Sequence, residues 1–422
     1  MTDSFEALSL DTALLRALEH EGYKRPTEIQ SLAIPHALAG KDVLAIAPTG
    51  TGKTAAFTLP ILQRLSKAKP AESGRPGIRA LILAPTRELA LQVEEALRAY
   101  GRHFKLTSTV IMGGVGEQPQ IKSLRRGVDI LVATPGRLLD LMQQGHVKLD
   151  KVEVLVLDEA DRMLDMGFIH DVRRICTKVP TNRQTLFFSA TMPKEVAELA
   201  NTLCKDPARV DVDPTPIQRP RIEQRVMFVE QRKKQELLTQ ILQEDPTAMV
   251  LVFTRTKHRA DRVVKKLNQD KIRAGAIHSN KTQGARQRAL ADFSTGRVRV
   301  LVATDIAARG IDVDGITHVI NFDLSDEPEN HVHRIGRTAR AGASGIAISF
   351  CDREELKKLA AIEKSGDTSL TTDDDHDFHV GSSVTAYRDQ ITQKAKSNKS
   401  KGGWPKPRRK RAKRSRSSMR MA

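Results

Sequence analysis

The sequence predicts an α/β protein of two domains, each a mostly parallel sheet flanked by helices, followed by a disordered basic C-terminal tail. Three observations carry this. Short apolar runs recur along the chain, each followed by a polar cluster and then by helical periodicity, the pattern of parallel βαβ units. The runs are apolar throughout rather than alternating, as strands covered by helices on both faces must be. A proline-rich stretch splits the runs into two sets, and a basic stretch poor in apolar residues follows the second.

The first set of runs is 42–47, 80–84, 130–133, 152–157 and 186–188; the second is 249–253, 300–303, 317–320 and 345–350. Between them Pro207, Pro214, Pro216 and Pro220 remove backbone donors and restrict the residues before them. A linker is therefore expected at 208–219, between a first domain at 1–207 and a second at 220–363. Segments 130–137 and 300–309 echo one another, each an apolar strand, an Ala-Thr pair and a turn leading to arginine, which suggests two copies of one architecture. Residues 67–77 read as a mobile surface loop, and 364–422 as a disordered tail, basic from 390.

Composition removes several function classes. The chain of 422 residues has a formal charge of +18; thirteen basic residues and no acid fall in 390–422, so the body before them carries +5. No apolar run approaches the roughly 18 residues of a membrane span. The opening Met1-Thr-Asp-Ser-Phe-Glu6 has an acid where a secretory signal needs basic residues, so a cytoplasmic protein is expected. Cys176, Cys204 and Cys351 are far apart, which excludes a C-x-x-C motif and fits a reducing compartment. Aromatic residues make up 4%, few for a protein that reads single strands by base stacking.

The chemistry starts at Ala47-Pro-Thr-Gly-Thr-Gly-Lys-Thr54, between an apolar strand and a helical stretch, the context of a phosphate-binding loop. Gly50 and Gly52 let backbone N–H groups surround phosphate oxygens, and the following helix adds its positive end. Lys53 would pair with the β- and γ-phosphates and Thr54 would ligate magnesium. The strand at 152–157 ends in Asp158-Glu-Ala-Asp161. Asp158 there can hold Mg²⁺ and Glu159 can polarise an attacking water, although adjacent acids at a strand end also serve as plain helix caps. Arg334, Arg337 and Arg340 equally fit one basic helical face, and Thr86, Thr134 and Thr304 fit ordinary N-caps.

Asp158-Glu-Ala-Asp161 also spells the name motif of the DEAD-box RNA helicases, and the chain resembles that family over roughly residues 5–350. Phe5 and Gly22-Tyr-Lys-Arg-Pro-Thr-Glu-Ile-Gln30 resemble its adenine-reading Q motif. Pro85-Thr-Arg-Glu-Leu89, Gly113-Gly114 and Thr134-Pro-Gly-Arg137 resemble its first-domain RNA contacts, and Ser189-Ala-Thr191 its coupling motif. Phe253-Thr-Arg-Thr256, Gln283-Gly-Ala-Arg286, Ala303-Thr-Asp305 through Arg309-Gly-Ile-Asp312, and His333-Arg-Ile-Gly-Arg-Thr-Ala-Arg340 complete the set. The compact body with a basic tail looks most like the bacterial RhlE-type subgroup. Three departures stand out: His331 where tyrosine is usual, Ala339 where glycine is usual, and His278-Ser-Asn280 where His-Gly-Asp is commoner.

The resemblance implies two RecA-like domains that close on ATP and RNA. It implies ATP and Mg²⁺ held by Phe5, Arg25, Gln30, Thr49, Gly50, Thr51, Gly52, Lys53, Thr54, Asp158 and Asp312, with Glu159 as base and Arg337 and Arg340 as fingers. It implies RNA gripped by its sugar-phosphate at Pro85, Thr86, Arg87, Gly114, Thr134, Pro135, Gly136, Arg137, Arg255, Gln283, Arg286, Thr304 and Gly310, and coupling through Asp161, Ser189, Thr191 and His333. The expected activity is RNA-stimulated ATP hydrolysis that unwinds short duplexes or remodels RNA-protein complexes. Ribosomal particles and RNA-degradation machinery are the expected settings, with no membrane partner. An ATP-dependent RNA clamp uses the same motifs and stays open as an alternative, and a DNA translocase is disfavoured by the Q motif. The tail is expected to tether RNA through charge alone.

Overall fold

The computed structural model describes residues 4–67, 77–212, 221–308, 313, 315–339, 344–366 and 370–380. Residues 68–76 of the loop expected at 67–77, Gly310, Asp312, Arg340 and the tail from 381 lie outside the described residues.

Among the described residues fourteen strands form two parallel sheets. In the first domain these are β1 (Val43–Ile46), β2 (Ala80–Leu83), β3 (Ser108–Ile111), β4 (Ile130–Ala133), β5 (Val154–Leu157), β6 (Gln184–Ser189) and β7 (Ala208–Asp211). In the second they are β8 (Arg221–Phe228), β9 (Val250–Phe253), β10 (Ala274–Ile277), β11 (Val300–Ala303), β12 (His318–Asn321), β13 (Ser344–Cys351) and β14 (Thr371–Thr372). The orders are β3-β4-β2-β5-β6-β1-β7 and β10-β11-β9-β12-β13-β8-β14. Numbered within its own domain, each sheet has the same order, so the echo between 130–137 and 300–309 belongs to a repeated architecture.

Both faces of each sheet are buried, which is why the strands read as unbroken apolar runs. Ala80, Ile82, Val154 and Val156 join one core, while Leu81, Leu83, Leu155 and Leu157 join the core on the opposite face. The second sheet divides the same way, with Val250, Val252, Val300 and Val302 on one side and Leu251, Phe253, Leu301 and Ala303 on the other. Cys176 and Cys351 are buried as small core residues.

Two boundaries differ from the sequence reading. Residues 208–211, assigned to the linker, are β7, paired in parallel with β1, and Val212 N donates to Ile46 O at 2.8 Å. Residues 370–380, assigned to the disordered tail, instead pack on the second domain: Thr371 and Thr372 pair with Arg225 and Val226 of β8, and His379 bridges Val229. Leu370 is buried and Phe378 packs on the apolar core. A two-residue strand inside an acidic stretch lacks the apolar run that marked the others. Strands β3, β8 and β10 also escape the sequence reading, because Ser-Thr-Val-Ile and Arg-Ile-Glu-Gln-Arg-Val-Met-Phe carry polar residues and Ala-Gly-Ala-Ile is built mostly of small ones. Among the described residues no helix is long and apolar enough to cross a membrane.

Candidate active site and nucleic-acid interface

Ligands of open parallel sheets bind beyond the carboxyl ends of the strands. The loop after β1 leads into the helix Lys53–Lys67. Gly50 and Gly52 have φ of +79° and +91°, which a side chain rarely adopts. A Cβ on Gly52 would also lie 2.4 Å from Gln30 Nε2. Lys53 Nζ donates to Ala47 O at 3.0 Å, and Thr51 Oγ1 donates to Pro48 O at 2.8 Å.

Gln30 belongs to the helix Glu28–Leu38, whose N-terminus is closed by a reciprocal box with Thr27. Its Oε1 accepts from Thr27 N at 2.9 Å and its Nε2 donates to Gly52 O at 3.1 Å. The residue expected to read adenine thus also latches the phosphate loop. Phe5 is 4% exposed within the first-domain core, and Arg25 is exposed.

Asp158 follows β5 and is fully buried, with Oδ1 making no hydrogen bond. Burial, then the charge of Glu159, pushes its pKa up to about 7, against the pull of Lys53 and Arg162. A buried carboxylate oxygen without a partner, next to the phosphate loop, is what a hydrated Mg²⁺ requires, so the residues fit that ion. Among the described residues no group of three or more His, Cys, Asp or Glu could hold a metal, so an ion here would also depend on substrate phosphates. Glu159 sits in the left-handed region at φ +54°. Its Oε2 accepts from the guanidinium of Arg162, both side chains being nearly buried. Arg162 is a site residue the sequence reading missed; its i,i+3 spacing from Glu159 was the available signal.

The expected coupling residues come together. Asp161 Oδ2 accepts from Thr191 N at 2.8 Å and Thr191 Oγ1 at 3.0 Å, and Asp161 N donates to Ser189 Oγ at 3.2 Å. His333 of the second domain joins them: burial and Arg162 lower its pKa, while Asp161 and Asp165 oppose that shift.

The arginines of the last motif separate. Arg334 forms a fork on Asp305, at 2.5 and 2.7 Å, and also donates to Asn321 Oδ1 and Asp323 O. Its guanidinium lies over the Phe253 ring at 5.1 Å. Arg334 is therefore committed inside the second domain. Arg337 lies in the turn after the helix Pro328–Ile335 and is 5% exposed.

The RNA-contact candidates line the same edge. Gly114, at φ +75°, lies so close under Arg87 that a Cβ would overlap its guanidinium at 1.9 Å. Burial, then Arg286, and more weakly Arg137, lower the Arg87 pKa, opposed by Glu88. Three arginines from two domains thus crowd one locus, an arrangement that anionic phosphates relieve. Arg137 donates to Val115 O at 3.3 Å. Thr86 Oγ1 caps its helix by accepting from Leu89 N at 3.2 Å, whereas the Thr134 side chain caps nothing and Pro135 opens the next helix. Pro85 is buried, Gly136 is open around its Cα, and Thr304 precedes the short helix Asp305–Ala308.

Gln283 and Arg286 both reach across to the first domain. Gln283 Nε2 donates to Glu88 Oε1 at 3.2 Å, and Arg286 lies 2.8 Å from the same oxygen. Glu88, within the Pro85–Leu89 motif but given no role of its own by the sequence, is the buried acceptor of an interdomain clasp. Glu88→Ala is expected to raise the RNA concentration needed for half-maximal ATPase stimulation by about tenfold or more, since truncating one partner of a buried charge pair costs roughly 2–5 kcal/mol. An unchanged RNA titration would remove Glu88 from closure.

Two departures have physical consequences. Ala339 has φ +56°, a left-handed conformation in which glycine is unstrained. Ala339→Gly is expected to raise second-domain stability by about 0.5 kcal/mol, the relief of strain less the entropy of glycine; a lowered denaturation midpoint would contradict this. His331 is 3% exposed, 3.3 Å from Gln224 Oε1, and burial followed by Arg334 drives its pKa down to about 4. Below pH ~6.5 the unfolded chain takes a proton that the folded one refuses until about pH 4. Stability should therefore be intact above ~6.5 and fall by up to about 3 kcal/mol across that window. His331→Tyr should flatten this acid slope in denaturation series at pH 5 and 7.5; an unchanged slope would assign it to another group. Asn280 accepts from Lys257 at 2.9 Å, a neutral contact where aspartate would form an ion pair.

A phosphate-binding loop and an acid pair on one parallel sheet, met across the domains by Gln283, Arg286 and His333 from a second sheet of the same order, define a two-domain nucleoside triphosphatase. The chain belongs to the DEAD/DEAH box helicase family, whose model matches residues 27–199, and the helicase conserved C-terminal domain matches residues 233–342. It is similar to the DEAD-box ATP-dependent RNA helicase CshA of Bacillus cereus, 43% identical over 362 residues, which are 86% of this chain and 68% of that protein. The CshA protein of Bacillus subtilis is 42% identical over 365 residues, 86% of this chain and 73% of its own. Saccharomyces cerevisiae Dbp5 bound to RNA and ADP BeF3 has a similar structure, with TM-score 0.77 and 31% identity over 93% of this chain and 99% of that one. The RhlE-type resemblance rests on the compact body and basic tail alone.

Proposed function

We propose that this protein is an ATP-dependent RNA helicase that separates short duplexes by closing its two domains on ATP and one RNA strand. The supporting observation is the meeting of the domains at one edge, with Glu88 under Arg286 and His333 beside Asp161 and Arg162. Lys53 leaves the Ala47 carbonyl for the β- and γ-phosphates. Gln30 reads the adenine edge. Thr54 and Asp158 would hold Mg²⁺, which would supply charge neutralisation on the phosphates. Glu159 orients and deprotonates the attacking water, and Arg337, with Arg340, meets the charge that develops on the transferred phosphoryl group.

Arg87, Arg137 and Arg255, with the backbone around Gly114 and Gly136, hold sugar-phosphate and read no bases. The closed interface bends the strand it holds, which a regular duplex cannot follow. Closure on the strand separates it, and hydrolysis resets the cycle. Larger RNA-protein particles, ribosomal or degradative, are the extension of this reading.

The test is strand displacement of a short blunt-ended RNA duplex together with ATPase rates in RNA and in DNA. The expected result is displacement that requires ATP, with hydrolysis stimulated by RNA well beyond DNA. RNA-stimulated hydrolysis without displacement would favour a clamp, and equal stimulation by DNA would overturn the RNA assignment.

A further inference from the structure

Lys234 opens the helix Lys234–Glu244 and none of its side chain reaches solvent. Its ammonium contacts three carboxylates: Glu355, Asp352 at 3.2 Å and Asp323 at 4.0 Å. Two further cations close the cluster, Arg259 on Asp323 and Arg255 on Glu355 at 3.0 Å. Three cations thus match three carboxylates. The acids also hold backbone: Asp323 Oδ2 accepts from Arg255 N at 2.9 Å, and Glu355 Oε1 accepts from Leu324 N at 3.1 Å. The loops after β9, β12 and β13 are tied together at the edge that carries the site.

The oxygens of Glu355 are divided. Lys234 donates to Oε2, and the Arg255 guanidinium to Oε1. Arg255 is the outward end of the cluster, with 45% of its side chain exposed. We propose that Lys234 is a positioning residue for RNA binding: by occupying Oε2 it limits Glu355 to a one-point hold on Arg255, leaving the rest of that fork for RNA phosphate.

Without the ammonium, both oxygens of a buried carboxylate face one neighbouring arginine. The two-point pair that carboxylate and guanidinium favour then forms, and Arg255 retracts. Lysine suits the post because its compact ammonium carries three donors for three acids. Stability alone does not explain the cluster, since buried ion networks are often replaced by apolar groups without loss.

The inference rests on Arg255 contacting RNA in the proposed function. That function is tested by RNA stimulation of the wild type, this inference by differences between variants. Lys234→Met is expected to raise the RNA concentration for half-maximal ATPase stimulation by about tenfold, the loss of one charged hydrogen bond, while the ATP half-saturation and the rate at saturating RNA stay within about threefold. Lys234→Met with Arg255→Ala should be no worse than Arg255→Ala. Adding Glu355→Gln to Lys234→Met should restore RNA affinity, because a neutral amide cannot retract the arginine. Glu355→Gln alone, which serves if Lys234→Met does not fold, should bind RNA at least as well as the wild type. Independent addition of the Lys234 and Arg255 effects, failure of Glu355→Gln to rescue, or a tenfold loss in Glu355→Gln alone would each overturn the proposal.

Discussion

Glu159→Gln is expected to lower RNA-stimulated ATP hydrolysis by about 10²–10⁴, the usual cost of losing a general base, while ATP and RNA remain bound together in the closed state. The amide keeps an acceptor for Arg162, so the left-handed turn at Glu159 and the start of the helix Ala160–Asp165 have no reason to move. The substitution also removes the negative charge that helps hold the Asp158 pKa near 7. Asp158 should then ionise more completely at neutral pH and hold its metal at least as well. Lys53→Ala should behave oppositely, losing nucleotide affinity before chemistry. Single-turnover hydrolysis and ATP binding, measured on both variants, separate the roles. Hydrolysis by Glu159→Gln near the wild-type rate would remove Glu159 as the base.

The contiguous parts of this site were legible because their chemistry is local. A phosphate loop needs a strand, two glycines and a helix start within eight residues, and the acids needed only a strand end. The pairings were not legible. Glu88 lies 195 residues from Gln283, and Lys234 lies 121 from Glu355, so no spacing rule joins them. Arg334 and Arg337 look alike in the sequence, yet Asp305, Asn321 and Asp323 take the donors of Arg334. The same holds for the fold. Apolar strands in the sheet interior announced themselves, the polar β8 excepted, while β3, β7, β10 and β14 lie at sheet edges, where less burial demands less apolar sequence.

That separation of the two arginines sets up the other large effect. Arg337→Ala is expected to reduce the hydrolysis rate at saturating ATP and RNA by about 10³, the lower end of what an arginine finger contributes. ATP binding to the first domain should change little, because Lys53, Gln30 and Asp158 all belong to that domain. Arg337→Lys should recover little, since a point charge cannot match the spread charge on the equatorial oxygens as a planar fork does. Arg334→Ala is the contrasting variant. It removes the fork on Asp305 and the bond to Asp323 O, so its loss should appear as lowered stability of the second domain as well as lowered activity. Arg337→Ala differs from it in kind: its rate loss at saturating ATP and RNA should far exceed whatever stability the substitution costs, as for a residue acting on substrate. If Arg337→Ala hydrolyses ATP within about tenfold of the wild type, the transition-state charge is met by another group, and Arg340, on the same motif, is the first to test.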